Sequence, residues 1–472
     1  MGLVGQIDEL LKYINANKPY LEANAELLNV YDGNLLPILD RAIQPPNLSE
    51  QYYKQIKERI IPINVLRRIA EKTSRAYITR PERVSSDRYE VSVKYYENQF
   101  ALDQKMQTAD IYTTLFKGYA LEPFIHMGQP KLRVLPYDRF LPYSDDPVDP
   151  TYVTHFIKFM GKRTKTKGNK TYVVEAFHVF TATEFLSFDS EGEVIESDMA
   201  LNMGINPYGV IPFVYGNRGN DTLIPVRDTD TMALTKMIPL LLTDLSGAIM
   251  FQCFSIVWGI DVNAENLTMS PNAFWSLKSD ITSQKEPKLG TIKPEADIQK
   301  VLDYITSTFT FWLETRGIRI GSVGQIDASN ASSGISKIID EMDSTELVQK
   351  SQMCFQHDES MFWSTLKQMS NYWLSQSLIT TNEKPEFFMD DFQVITQFDP
   401  PQPQVDRATE VNTVKMERDA GFISTRKAIE QLYPDLTEEQ IENQLMEIDQ
   451  ERGVEPSGVE EDVVAENEDS TT

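Results

Sequence analysis

Cysteine is nearly absent from this chain: Cys253 and Cys354 are the two thiols in 472 residues. Two widely spaced thiols build neither a disulfide framework nor a structural zinc site. They suit a reducing compartment, in which both are expected to be buried, inert small hydrophobes. Histidine is also scarce. His126, His155, His178 and His357 are scattered, and none has a ligand partner at metal-binding spacing; Glu359 and Met361 beside His357 do not supply one. His178 lies in a strand-like stretch, where a hydrogen-bonded structural role is expected.

Positive charge is short as well. Lys and Arg number 45 against 70 Asp and Glu, a formal net charge of −25. Such a surface repels phosphate, which excludes a domain that grips nucleic acid through a broad basic face. It leaves open a soluble protein with no polyanionic partner.

Nucleotide and catalytic motifs are missing too. No Gly-x-x-x-x-Gly-Lys-Ser/Thr loop occurs, so the chain is not a P-loop motor, and no Gly-x-Gly-x-x-Gly follows a strand. Ser144-Asp145-Asp146-Pro147-Val148-Asp149 gathers carboxylates without EF-hand spacing and reads as a proline-broken polar turn. Asp390 and Asp391 would alternate faces in a strand and so make no acid–base pair. No catalytic residue, metal or cofactor is expected. The start, Met1-Gly2-Leu3-Val4-Gly5-Gln6, lacks a signal-peptide pattern and lacks the Ser or Thr at position 6 of a myristoylation signal.

One long apolar run is present, Met237 to Ile260. Its length could span a bilayer. Asp244, Pro239 and Gln252 interrupt it, and no basic flank orients it, so a buried or subunit-packed helix is expected.

The apolar fraction of 41% supports a large core, and the length calls for two or more domains. Helical periodicity covers Gln6–Asn15 and Lys54–Ala76, the latter with Ile60, Val65, Ile69 and Ala76 near one face. A further helix is expected from Asp87 to Gly118, with Tyr95, Phe100, Met106, Ile111 and Leu115 as core. From about Leu121 to Tyr215 the texture turns to strands: Val134–Phe140, Val153–Phe159, Tyr172–Val179 and Phe185–Phe188. Asp189-Ser190-Glu191-Gly192 is a turn in this antiparallel unit. A basic hairpin tip, Lys158, Lys162, Arg163, Lys165, Lys167 and Lys170, reads either as a solvated loop or as a contact to DNA or an acidic neighbouring subunit.

Asn206 to Val214 is a turn followed by a short apolar strand ending at Gly216-Asn217. An apolar helix runs from Asp228 to about Phe254. Ser255–Pro294 is irregular, a compact insertion with Trp258, Phe274, Trp275 and several lysines. A second helix has Ile298, Val301, Leu302, Ile305, Phe309 and Trp312 at three- and four-residue spacing and stops at Gly317. Gly321–Gly334 is a small, polar, flexible loop. A long helix from Ile335 to about Leu378 carries one stripe through Ile335, Ile338, Ile339 and Met342. A second stripe holds Cys354, Met361, Phe362, Thr365, Met369, Tyr372 and Trp373, and a polar gap between the two suggests a bend or a change of partner. Phe387–Phe398 reads as a strand. Asp406–Ala420 is a helix ending at Gly421. Ser424 caps the next, which ends near Pro434, and Thr437 with Gln440 forms a capping box for a third. Gly453–Thr472 is acidic and expected to be disordered.

This order of elements, with the local sequences Asn206-Pro207-Tyr208-Gly209-Val210-Ile211-Pro212-Phe213-Val214, Ala331-Ser332-Ser333-Gly334-Ile335-Ser336 and Asp419-Ala420-Gly421-Phe422-Ile423-Ser424, resembles the portal proteins (head-to-tail connectors) of tailed bacteriophages, in particular the siphophage type. The resemblance is carried by about the last 270 residues and by texture before that. It implies a non-enzymatic α+β protein: a mainly helical portal fold assembling into a ring of twelve subunits. It divides the chain into a wing (1–224 and 335–400), stem helices (225–254 and 296–317), a clip (255–295), a tunnel loop (318–334), a crown (401–452) and the acidic tail (453–472). It also implies double-stranded DNA in the channel during packaging and ejection. The implied partners are the terminase large subunit, a neck or adaptor protein, and the major capsid and scaffolding proteins. The implied location is the portal vertex of the virion, after assembly in the host cytoplasm.

On this resemblance Gly321, Ser322, Gly324, Gln325, Asp327, Asn330, Ser332 and Gly334 line the DNA channel. Trp258, Trp275, Lys278, Lys285, Lys288 and Lys293 contact partners or phosphate at the clip, the alternative being ordinary surface residues. Asp327 and the lack of a base near the loop's centre argue for a steric or valve role over phosphate gripping. Competing expectations are a protein anchored in a membrane by 237–260 and a soluble enzyme without a recognisable motif.

Overall fold

A computed structural model of the chain describes residues 2–43, 54, 57–167, 170–199, 204–219, 221–226, 228–253, 256–260, 288–292, 298–315, 334–381, 384–398, 407–433 and 438–451. A 3-10 turn, Leu3–Gln6, leads into α1 (Ile7–Tyr31). The helix expected to end at Asn15 continues through Pro19. Ile7, Leu10 and Ile14 before the proline and Leu21, Leu27 and Val30 after it are all buried. Burial of both halves of this face outweighs the one backbone donor that Pro19 lacks.

After α2 (Leu36–Ile43) comes α3 (Val65–Thr73). The single helix expected over Lys54–Ala76 is shorter, for a local reason. Pro62 pushes the residue before it out of helical geometry, and Asn64 starts α3 by accepting a hydrogen bond from the Arg67 N–H at 3.0 Å. The apolar residues assigned to one face serve three separate cores. Ile60 packs on the first, Val65 and Ile69 lie in the third, and Ala76 lies in the second.

A short strand, β1 (Glu82–Val84), precedes α4 (Asp87–Phe100) and α5 (Leu102–Phe116). The sequence predicts one helix here. The break falls at Ala101, whose φ of +47° ends α4 and opens α5. The turn lets Phe100 and Leu102 both reach the core.

The β region holds β2 (Gly118–His126), β3 (Gln129–Leu135), β4 (Phe140–Tyr143), β5 (His155–Lys167), β6 (Lys170–Phe180) and β7 (Phe185–Asp189). Then follow the one-turn α6 (Glu196–Met199) and β8 (Val214–Asn217). β4-β5-β6-β7 is an antiparallel meander, and β3-β2-β8 a second antiparallel sheet. The stretch read as one strand, Val134–Phe140, is split by a turn at Pro136–Arg139, closed by Arg139 N–H to Pro136 O at 3.0 Å. Tyr137 in that turn is fully buried, which explains its strand-like composition. Met160 bulges out of β5, and Gly161 takes φ +86° to permit it.

The predicted Asn206 turn is present, with its strand displaced to β8. The Asn206 amide donates to Thr181 O and Val210 O and its Oδ1 accepts from Tyr208 N, while Gly209 takes φ +71°. One buried side chain therefore ties three backbone points into this turn.

Next come α7 (Asp230–Cys253), β9 (Ile256–Ile260), β10 (Lys288–Ile292), α8 (Ile298–Thr315) and the long α9 (Gly334–Ser375). β11 (Ile395–Gln397) pairs with β1. The strand expected over Phe387–Phe398 is thus confined to its last residues. Phe388, Phe392 and Val394 are buried from irregular backbone, so an apolar run produced a strand reading that the chain does not need. Asp390 and Asp391 sit in a turn here: Asp391 accepts from Tyr89 OH at 2.7 Å and Asp390 lies 3.5 Å from Lys367.

The chain ends in α10 (Arg407–Asp419), α11 (Thr425–Leu432) and α12 (Glu438–Glu451). Gly421 takes φ +76° after α10, and the Ser424 hydroxyl accepts from Lys427 N, as the sequence predicts. Thr437 of the expected capping box and the acidic tail lie outside the described residues.

The architecture is α+β, with antiparallel ladders and helices from separate stretches of chain. Two compact units are formed, Met1–Gly324 with Glu346–Pro401, and Gln325–Thr345 with Gln402–Thr472. In the first unit, one core joins α1 and α2 to the meander. A second packs α9 on α4, α5 and β2, and a third joins α3, α7 and α8. The second unit buries Val414, Ala428, Ile429 and Ile441.

Candidate functional site

The candidate site is the hairpin of α7 and α8. Its base is built where the start of α7 meets the end of α8. Leu234 and Ile238 pack on Trp312 and Leu313, and the Trp312 indole N–H donates to Asp230 Oδ2 at 2.8 Å. The helices therefore run antiparallel. Pro239 lies inside α7, and the Thr243 hydroxyl returns to its carbonyl at 2.7 Å.

At the far ends of the same helices, β9 and β10 pair antiparallel from Ile256↔Ile292 to Ile260↔Lys288. Residues 255–294 are therefore not irregular throughout, as the sequence suggests. The ladder brings Ile260 opposite Lys288. The cause is a long-range ladder that no local pattern announces.

The apolar stripe of α8 is covered mainly at its base. Trp312 is buried, but Ile298, Val301, Ile305 and Phe309 are only half-buried and Leu302 is exposed. Phe311 is 69% exposed and Tyr304 57%. On α7, Ile249 is exposed. These side chains leave an apolar face of the hairpin open to solvent in the single chain.

Of the residues singled out from sequence, Trp258 lies in β9 opposite Gly290, and Lys288 opens β10 opposite Ile260. Gly334 is the first residue of α9. Trp275, Lys278, Lys285 and Lys293, and Gly321, Ser322, Gly324, Gln325, Asp327, Asn330 and Ser332, lie outside the described residues.

The basic hairpin is corrected by the structure. Lys158 pairs with Glu122, Arg163 forks onto Asp198 at 2.8–2.9 Å, and Lys165 reaches Asp189, Glu193 and Glu191 at 2.5, 2.7 and 3.1 Å. These three bases belong to strand ladders and are neutralised by the chain itself. Lys162 and Lys170 are exposed.

Around Asp198, the His178 Nε2 lies at 2.9 Å and the Ser187 hydroxyl donates at 3.0 Å. Ser187 and His178 both bond to the Asp198 carboxylate and not to each other, so they form no nucleophile–base relay. Burial lowers the His178 pKa against the pull of Asp198. Burial would raise Asp198, but bonds from Arg163, His178 and Ser187 hold it well below the usual carboxylate range. Ser144–Asp149 is the expected polar turn: Asp146 Oδ1 accepts from Val148 N and Asp149 N, and Asp149 Oδ1 from Thr151. Cys354, expected to be buried, is half-buried and free.

Sequence reasoning missed a buried ionic assembly under α9. Glu359 accepts from Arg83 Nε (2.7 Å) and Nη2 (2.9 Å), Tyr77 OH (2.7 Å) and Thr396 Oγ1 (2.7 Å). Arg83 also reaches Glu97 and Asp103 at 3.1 and 2.7 Å. Next to it, Asp358 accepts from Arg218 and Tyr119 OH, both at 2.7 Å. Asp110 accepts from Ala76 N at 2.8 Å, and burial raises its pKa to about 6 despite that bond and the nearby Arg218. A signal did exist. The buried face of α9 includes Gln352, Phe355, Glu359, Phe362, Leu366, Met369 and Trp373, which alternate three- and four-residue steps, with Asp358, Trp363 and Ser370 buried beside them. Of the stripe read from sequence, Phe362, Met369 and Trp373 lie on this face, whereas Met361 is exposed. A glutamate at a core position of such a repeat requires a buried cation.

No family model matches the chain, and no curated protein matches it. Among solved structures, the chain is similar to one from the virion of native gene transfer agent (GTA) particle. The TM-score is 0.37 at 11% identity, covering 84% of this chain and 97% of that one. Among the described residues, no helix is long and apolar enough to cross a membrane, so the competing reading of an anchor at 237–260 is not favoured.

Proposed function

We propose that this chain is a portal subunit of a tailed phage-like particle, one copy of a ring through which double-stranded DNA enters and leaves the capsid. The observation that carries the proposal is the α7–α8 hairpin, joined at its far end by the β9–β10 ladder and covered by its own chain mainly at its base. Antiparallel rods with open apolar faces are what a heterologous interface repeated by rotation requires. The reading is non-enzymatic.

In this reading α7 and α8 are the stem and 255–295 the clip, which meets the terminase large subunit and later the neck adaptor. Residues 318–334 are the loop beside DNA, and the wing and crown meet capsid and scaffolding proteins at the vertex. A net charge of −25 suits a conduit: phosphate is repelled, so the duplex slides instead of adhering.

Electron microscopy of the purified protein tests the proposal. Rings with a central hole, twelve-fold in the simplest case, are expected. A monomer under every assembly condition, with the α8 stripe remaining open to solvent, overturns it. The clip assignment has its own test: a chain with Lys278, Lys285, Lys288 and Lys293 all changed to Ala that packages DNA normally removes those lysines from partner contact.

A further inference from the structure

We infer that Asp358 and Glu359 form a register lock: they fix the axial and rotational position of α9 against the first unit, which the apolar seam alone leaves degenerate.

The seam is self-similar. Phe355, Phe362 and Met369 repeat every seven residues, as do Gln352, Glu359, Leu366 and Trp373. Facing them are rings from separate parts of the chain, Tyr96 and Phe100 of α4, Tyr119 of β2, and Phe388 and Phe392. Packing of large apolar groups is non-directional, so sliding by one turn, about 5.4 Å, exchanges one aromatic contact for another. Polar groups at core positions remove that freedom, because a displaced charge is left buried without partners.

The lock is complete at one position only. One turn of α9 gathers five donor side chains from five places in the chain: Tyr77, Arg83 of β1, Tyr119 of β2, Arg218 after β8 and Thr396 of β11. The four donors on Glu359 saturate its two oxygens. Arg83 and Glu359 have no exposed side-chain surface. Two weaker pins lie along the same seam. Gln352 donates to Ala76 O at 3.3 Å, and Ser370 shares a 2.6 Å hydrogen bond with Tyr96 OH. Shifting α9 by a turn breaks every one of these contacts at once.

The test places spin labels on the full chain at Val91→Cys on α4 and Met353→Cys on α9, both exposed positions, with Cys253 and Cys354 changed to Ala. The labelled parent should give one narrow distance distribution. In the lock variant, Tyr77→Phe, Asp358→Ala, Glu359→Leu and Thr396→Val, a second population displaced by about one turn is expected. A seam variant, Phe362→Leu with Met369→Leu, should lose stability and keep the single distance. One narrow, unshifted distance in the lock variant overturns the inference. If that chain does not fold, Asp358→Asn with Glu359→Gln decides. It keeps the side-chain shapes while removing both charges, and broadening is expected; an unchanged distribution overturns the inference equally.

Discussion

Arg83 and Glu359, 276 positions apart in sequence, meet as a two-pronged ion pair with Nε and Nη2 on the two carboxylate oxygens at 2.7 and 2.9 Å. Both side chains are fully buried, yet their surroundings differ. Arg83 has two further carboxylates, Glu97 and Asp103, whereas the other donors to Glu359 are the neutral hydroxyls of Tyr77 and Thr396.

That difference gives an ordered outcome. Arg83→Met leaves Glu359 buried without a cation, while Glu97 and Asp103 keep Arg80, and is expected to destabilise the protein by about 3–5 kcal/mol. Glu359→Leu leaves Arg83 still paired and should cost about 2 kcal/mol. The double variant should cost less than the sum of the two. Urea denaturation of the four proteins measures the cycle. Additive losses would show that the pair is not coupled.

Asp110 sets a pH dependence. Asp110 is 3% exposed, and burial pushes its carboxyl pKa up to about 6. A raised carboxyl pKa means that the folded state holds the proton more tightly. Its stabilising contribution is complete below about pH 4 and is lost as pH rises through about 6. A rise of this size is worth on the order of 3 kcal/mol. Asp110→Asn should therefore be more stable than the parent at pH 8, by about 2 kcal/mol, and show no advantage at pH 4. Denaturation midpoints of both proteins across that range check the sign.

Ala101 holds φ +47° between α4 and α5. A side chain in the left-handed region costs about 1–2 kcal/mol that glycine avoids. Ala101→Gly is expected to raise stability by about 0.5–1 kcal/mol, read as a higher melting temperature. A lower one would mean that the turn gains more from the alanine methyl than the backbone loses.

Lys165 occupies the centre of Asp189, Glu191 and Glu193, whose nearest carboxylate oxygens lie within 4.8 Å of one another. Its ammonium stands where a hard cation would. Lys165→Ala removes that charge, so calcium should stabilise the variant and leave the parent unchanged. Thermal melts with and without millimolar calcium compare the two.

Local chemistry settled much of the fold in advance. The turn at Asn206, the stop at Gly421, the cap at Ser424, the apolar helix through Met237 and the strand-rich stretch before Tyr215 each follow from a few neighbouring residues. Their energies come from backbone geometry and hydrophobic periodicity, which short sequences encode. The break at Ala101, the pairing of β9 with β10, the cations that neutralise Glu359 and Asp358, and the carboxylates that absorb Lys158, Arg163 and Lys165 were decided only by the tertiary structure. In each case the deciding partner is remote in sequence or is set by competition among packed surfaces. A charge records that it needs a partner, but which one it meets depends on where the rest of the chain comes to lie.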